Sequence, residues 1–175
     1  MKLGITGHQD RDGIDWNWVR SQIDQIITSV NKPILGYSSL AAGSDQLFAR
    51  CLLARGAQVR AVIPLVGYER FFKPKALASY QELLQRAERI DLDTIGSPEE
   101  CFMKAGIYVA SHSDLMIAVW DEKQAKGRGG TADIVKYCEE RAVPVIIVNP
   151  ILRTVSATPT ARAGSCRGDR SLKVD

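Results

Sequence analysis

The stretch Ser113-Asp114-Leu115-Met116-Ile117-Ala118-Val119-Trp120-Asp121, followed after a loop by Gly129-Gly130-Thr131-Ala132-Asp133, decides the fold. An apolar run of strand length ends at an acidic residue, and a glycine turn then opens a helix. That helix carries a hydroxyl and a carboxylate in its first turn. Backbone N–H groups at a helix start lack intrahelical partners and sit at the positive end of the dipole. Glycine lets a phosphate or a sugar approach them closely. The same plan occurs at Ile5-Thr6-Gly7-His8-Gln9 and at Leu40-Ala41-Ala42-Gly43-Ser44-Asp45.

Working outward from residues 115–119, read as the most apolar and a central strand, helices and strands alternate along the chain. Residues 2–6, 33–37 and 58–63 read as strands, 90–92 as an edge strand and 143–148 as the last strand. Helices are expected over 15–30, where Trp16, Val19, Ile23, Ile26 and Ile27 form one stripe, and over 44–55, 74–89, 98–111 and 130–141. Ser97-Pro98-Glu99-Glu100 is a helix start with an N-cap serine, a first-turn proline and two acids. Such βαβα order predicts an α/β fold: a Rossmann-like, doubly wound, mainly parallel sheet with helices on both faces. After Pro150 the pattern gives way to Ser, Thr, Pro, Ala, Gly and Arg. The expected organisation is one domain over 1–150 and a disordered tail over 151–175.

Charge and composition narrow the function classes. The formal net charge is +3, yet the excess lies after residue 150, and residues 1–150 hold as many acids as bases. A neutral body argues against a nucleic-acid face, which would carry a basic patch. Cys51, Cys101, Cys138 and Cys166 are far apart, with only His8 and His112 to supplement them, so neither a metal site nor a disulfide framework is expected. No cofactor is implied by any motif. No apolar run is long enough to span a bilayer. The start reads as a strand running into a glycine turn, not as a signal peptide, and a cytoplasmic protein is the expectation.

Ligands of open parallel sheets bind beyond the carboxyl ends of the strands, and all three glycine loops should meet there. In the first loop Gly7, His8, Gln9 and Arg11 are candidate ligand residues, Gly7 through its backbone; solvated turn chemistry explains Asp10, Arg11 and Asp12 equally well. In the second, Gly43, Ser44 and Asp45 are candidates, with Ser44 placed as an N-cap and free amides left for an anion. Ser38 and Ser39 could also face the cleft. In the third, Gly129, Gly130 and Thr131 are candidates behind a basic loop over 123–128. Asp121 sits where ribose hydroxyls are often held, and Asp133 is a further candidate ligand residue, although the helix dipole favours a carboxylate there regardless of function. Trp120 reads either as a base platform or as a rim residue. Tyr68, Arg70, Phe71 and Lys73 read as a lid or, preferably, as an aromatic plug over the sheet edge. His112, at a helix end, reads as structural.

These motifs, with Ala61-Val62-Ile63-Pro64-Leu65, resemble the Smf/DprA–LOG (SLOG) superfamily over residues 2–148, and most resemble its small stand-alone bacterial members. The resemblance implies a Rossmann-like fold that binds nucleotides or nucleotide-derived ligands, as sensor or enzyme. Its LOG phosphoribohydrolases, which release the base from nucleoside monophosphates, carry a Pro-Gly-Gly-x-Gly-Thr-x-x-Glu motif with a catalytic glutamate. Here that position is Ile134, which can neither stabilise an oxocarbenium ion nor move a proton. Nucleoside deoxyribosyltransferases have a similar helix start, and the same gap blocks the transfer. Three readings follow: a binding module for a nucleotide-like ligand; an N-glycosidic hydrolase using Asp121 or Asp133; and a DprA-like DNA-binding protein. Related proteins dimerise, so a homo-oligomer is a further expectation.

Overall fold

A computed structural model of the chain describes residues 1–9, 11–123 and 130–158. Seven strands form one sheet: β1 (Lys2–Gly7), β2 (Leu35–Ser38), β3 (Gln58–Ile63), β4 (Glu88–Asp91), β5 (Leu115–Val119), β6 (Val145–Asn149) and β7 (Thr154–Ala157). Their order is β4-β3-β2-β1-β5-β6-β7, parallel throughout except that β7 runs antiparallel to β6. The chain therefore builds outward from β1 in one direction, then returns to its other side with β5. That reversal between β1 and β5, paired Ile5 to Ile117 and Gly7 to Val119, is the topological switch point where open α/β sheets bind ligands.

Helices α1 (Trp16–Ser29), α2 (Ser44–Ala54) and α3 (Pro74–Leu84) cover one face, and α4 (Pro98–Ser111) and α5 (Thr131–Glu140) cover the other. Successive strand residues point to opposite faces. Leu3, Ile5, Ile117 and Val119 accordingly join Val19, Ile23 and Phe48 in the first core, while Met116, Ala118 and Val62 join Val109 and Ile134 in the second. Asp15 caps α1, its carboxylate accepting from the Asn17 and Trp18 amides at 3.1 Å each. Ser97 and Glu100 close a reciprocal capping box on α4. Close helix packing on the second face needs Gly106, because a Cβ there would sit 2.5 Å from Ile134 Cδ1.

The doubly wound α/β architecture agrees with the expectation, and several element limits differ. Helix α3 stops at Leu84 instead of continuing to residue 89, because Glu88 and Arg89 already pair with β3. The second strand begins at Leu35. Chain order also continues past residue 150. Thr154–Ala157 adds an antiparallel edge strand, and Arg153 reaches Asp15 at 2.9 Å. All four β7 residues are exposed, so no buried face marked this strand in the sequence. The expected disordered stretch over 159–175, with Cys166, lies outside the described residues.

Candidate functional site

A cavity of about 680 Å³ opens above the carboxyl ends of β1, β2, β3 and β5, within the range of about 300–1,000 Å³ common for ligand pockets. Its wall combines the loops after β1 and β5, the starts of α2 and α5, the middle of α4 and the aromatic segment after β3.

Adjacent pairing of β1 and β5 brings their exit loops together. The His8 amide donates to Val119 O at 2.9 Å, which continues the ladder by one residue. Beyond it, Asp121 is buried and accepts from Arg11 Nη1 at 2.6 Å through Oδ2, with His8 Nε2 3.0 Å from its Oδ1. The Asp121 amide lies 3.2 Å from the same Nε2. Burial would raise Asp121, but the Arg11 hydrogen bond and the neighbouring His8 outweigh it and hold the carboxyl below its usual value. Burial lowers His8, partly offset by Asp121. The rim thus carries an ionised carboxylate, a neutral imidazole and a guanidinium, and Lys123 Nζ stands 4.0 Å from Asp121 Oδ2. Trp120 lines the cavity, and its indole donates to Lys123 O at 2.9 Å.

The second glycine loop is used differently from the expectation. Gly43, at φ +82°, is itself the N-cap of α2, and Ser44 is the first helical residue. The Ser44 hydroxyl and amide both donate to His8 O, at 2.7 and 3.2 Å. A Cβ at Gly43 would sit 2.7 Å from that carbonyl, and one at Gly7 would sit 2.6 Å from Ser44 Oγ. These glycines let the start of α2 press against the loop after β1. Ser44 is therefore a strut between loops, not a cap, and Gly43 packs behind the cavity wall. Asp45 lines the cavity and is 7% exposed, its Oδ2 accepting from the Ser38 hydroxyl at 2.9 Å and the Ser39 amide at 3.0 Å. Burial raises its carboxyl to about 6, against those hydrogen bonds.

At the third loop, Gly130 and Thr131 line the cavity as the N-cap and the first residue of α5. Among the described residues, neither the amide nor the hydroxyl of Thr131 has a hydrogen-bond partner. Gly129 and the basic residues over 124–128 lie outside the described residues, as does Asp10. Asp133 is half-buried on α5 and does not line the cavity, whereas Ile134 does and packs against Gly106. One helical step of about 100° separates the two. Gln9 is exposed at the cavity mouth.

The aromatic segment forms a wall. Tyr68 is buried in a short 3-10 turn (Tyr68–Phe71) and packs edge-on against Phe72 at 4.9 Å and Tyr80 at 5.8 Å. Phe71 meets Phe102 of α4 at 5.2 Å, and Arg70 lies 5.0 Å from the Phe71 ring centroid. Sequence reasoning left Phe102 unremarked, because it reads as one more apolar residue of α4. His112 stacks on Tyr108 at 3.9 Å and bonds its carbonyl, a structural role. Among the described residues there is no group of three metal-ligating side chains and no helix long and apolar enough to cross a membrane.

No protein-family model and no curated protein matches this sequence. Solved structures do match the fold. DNA processing protein A (DprA) from Streptococcus pneumoniae superposes with a TM-score of 0.60 at 18% identity, over 85% of this chain and 50% of that one. DprA from Helicobacter pylori, studied for its single-stranded DNA binding mode, gives 0.61 at 16% identity over 85% of this chain and 65% of that one. The Moco carrier protein of Chlamydomonas rheinhardtii gives 0.50 at 19% identity, over 83% of this chain and 74% of that one. This chain thus spans between half and two-thirds of the two DprA proteins. These likenesses are of fold.

Proposed function

We propose that the cleft binds a nucleotide or a nucleotide-derived ligand, with an anionic group at the start of α5. The observation that carries this reading is the unpartnered Thr131 amide and hydroxyl at a helix start that opens into a cavity beside Arg11 and Lys123. A helix N-terminus and two cations favour a phosphate. Phe71 and Phe102, which also line the cavity, offer apolar ring surface to a base. Gly7, Gly43 and Ser44 serve in this reading as the frame, and His8, Gln9, Arg11, Asp45, Asp121, Gly129, Gly130 and Thr131 as the contact residues. Fold likeness to the Moco carrier protein is consistent with ligand binding.

N-glycosidic hydrolysis draws less support. Asp121 already holds Arg11 and His8, Asp133 does not line the cavity, and Ile134 stands at the position of the expected glutamate. A single-stranded DNA ligand is the second reading, favoured by the fold shared with DprA. It places the same phosphate-binding elements along a strand.

Thermal-shift measurements with AMP, ADP-ribose and cyclic nucleotides test the first reading. Stabilisation by a phosphorylated nucleotide is the expected result; its absence across the panel rejects the proposal. Gel shifts with single-stranded DNA over a salt series test the second.

A further inference from the structure

Two buried polar groups of the cavity wall are used neither by the rim nor by the start of α5. Tyr68 is 5% exposed and Asp45 is 7% exposed, and both line the cavity. The Tyr68 ring is held by Phe72, Tyr80 and Phe102. Its hydroxyl has no hydrogen-bond partner among the described residues, yet it is not sealed in as the Tyr80 hydroxyl is. Burial and the nearby Asp45 push the Tyr68 phenol upward, so it remains a protonated donor. Asp45 spends Oδ2 on Ser38 and Ser39, and Ala41 provides a further backbone donor. A lone pair of the carboxyl remains for an incoming N–H.

Open to the cavity and without a protein partner, this hydroxyl is a donor available to whatever enters. Around it stand ring faces: Phe71, 42% exposed, and Phe102 perpendicular to it. Tyr68 follows β3 and Thr131 follows β5, three strand positions apart in the sheet. That separation is about 14 Å at the usual strand spacing, a span a free phosphate cannot bridge and a ligand of nucleotide length can.

We propose that the Tyr68 hydroxyl and the Asp45 carboxyl form a base-edge subsite for a heterocycle that presents an amino group beside a ring nitrogen. Asp45 accepts from the amino group, Tyr68 donates to the ring nitrogen, and Phe71 and Phe102 flank the ring. This inference rests on the nucleotide reading of the same cavity and adds to it the class of base.

Calorimetric titrations of AMP, purine riboside 5′-monophosphate (which lacks the amino group) and ribose 5-phosphate test it. Wild type should bind AMP most tightly. Tyr68→Phe, which keeps the ring packing, should weaken AMP roughly five- to tenfold, the scale of one lost hydrogen bond, and leave ribose 5-phosphate unchanged. Its melting midpoint should match wild type, which excludes a folding defect. Equal AMP affinity in wild type and Tyr68→Phe overturns the subsite, as does an equal loss of ribose 5-phosphate. Wild-type binding of ribose 5-phosphate as tight as AMP overturns the subsite alone. Binding of none of the three overturns the nucleotide reading as well.

Discussion

The carbonyl oxygen of His8 accepts two hydrogen bonds from Ser44, one from its hydroxyl at 2.7 Å and one from its amide at 3.2 Å. Residues 36 positions apart thereby lock the loop after β1 to the start of α2. The division of labour at the site follows from this. Two glycine loops brace each other, and the third, at α5, leaves its first amide without a hydrogen-bond partner among the described residues.

That bracing predicts a steep cost at Gly43. Alanine there must hold a φ of +82° and place its Cβ 2.7 Å from a backbone carbonyl that cannot swing away. Gly43→Ala should destabilise the fold by about 2 kcal/mol or more. Gly106→Ala meets only the flexible end of Ile134 and should cost less, about 1 kcal/mol. Urea denaturation of the two variants checks the ranking.

Asp45 predicts an unusual pH dependence. Its folded carboxyl titrates at about 6 against an ordinary 3.8, so between these values the folded chain holds a proton that the unfolded chain has released. Stability contributed by this group is full below pH 3.8 and is lost as pH rises through 6, by about 3 kcal/mol at the conversion of about 1.4 kcal/mol per tenfold. Asp45→Asn should therefore gain on wild type by up to that amount between pH 4 and 7. Denaturation midpoints of both proteins across this range measure it.

Asp121 and His8 slope the other way. The Asp121 carboxyl is depressed, so its contribution is present above the ordinary 3.8 and disappears as pH falls through the lower folded value. His8 is lowered too, so the folded chain resists protonation and loses stability as pH drops below 6.5. Asp121→Asn should cost about 1–2 kcal/mol at neutral pH through the hydrogen bonds to Arg11 and His8, and less near pH 3. Thermal unfolding of the variant at both pH values checks the sign.

Base release should be absent. Asp121 is engaged by Arg11 and His8, and Asp45 is held by Ser38 and Ser39. Ile134 stands where the glutamate is expected, so the cleft lacks the carboxylate that would support a glycosyl cation at that position. Chromatography after incubation with nucleoside monophosphates should find no free base. Release that is lost in Asp121→Asn would restore the hydrolytic reading.

Much of the fold was legible because alternation of apolar runs with helical stripes is a local signal. Strands β3 and β5 have the same limits in sequence and structure, and Ser97 caps α4 as its spacing implies. Strand β7 was not legible, since four exposed residues carry no buried face. At the site, residue type was informative and partnership was not. Ser44 beside Gly43 looks like a cap from spacing alone, and only the approach of His8 makes it a strut. Asp121 looked available because Arg11, 110 positions away, is invisible as its partner in a linear reading. Tyr68 looked like a plug, and its unpartnered hydroxyl emerges only when the cavity wall closes around it.

The start of α5 carries the central claim, and Thr131→Pro tests it most directly. Proline is well tolerated at the first helical position, and Gly130 already has the extended ψ of 173° that a following proline requires. The substitution removes one amide donor and one hydroxyl while leaving the helix intact. Calorimetric titration with AMP should show binding to wild type and at least a tenfold loss in Thr131→Pro at an unchanged melting midpoint. Equal affinity in the two proteins, or no AMP binding to wild type, would contradict the account.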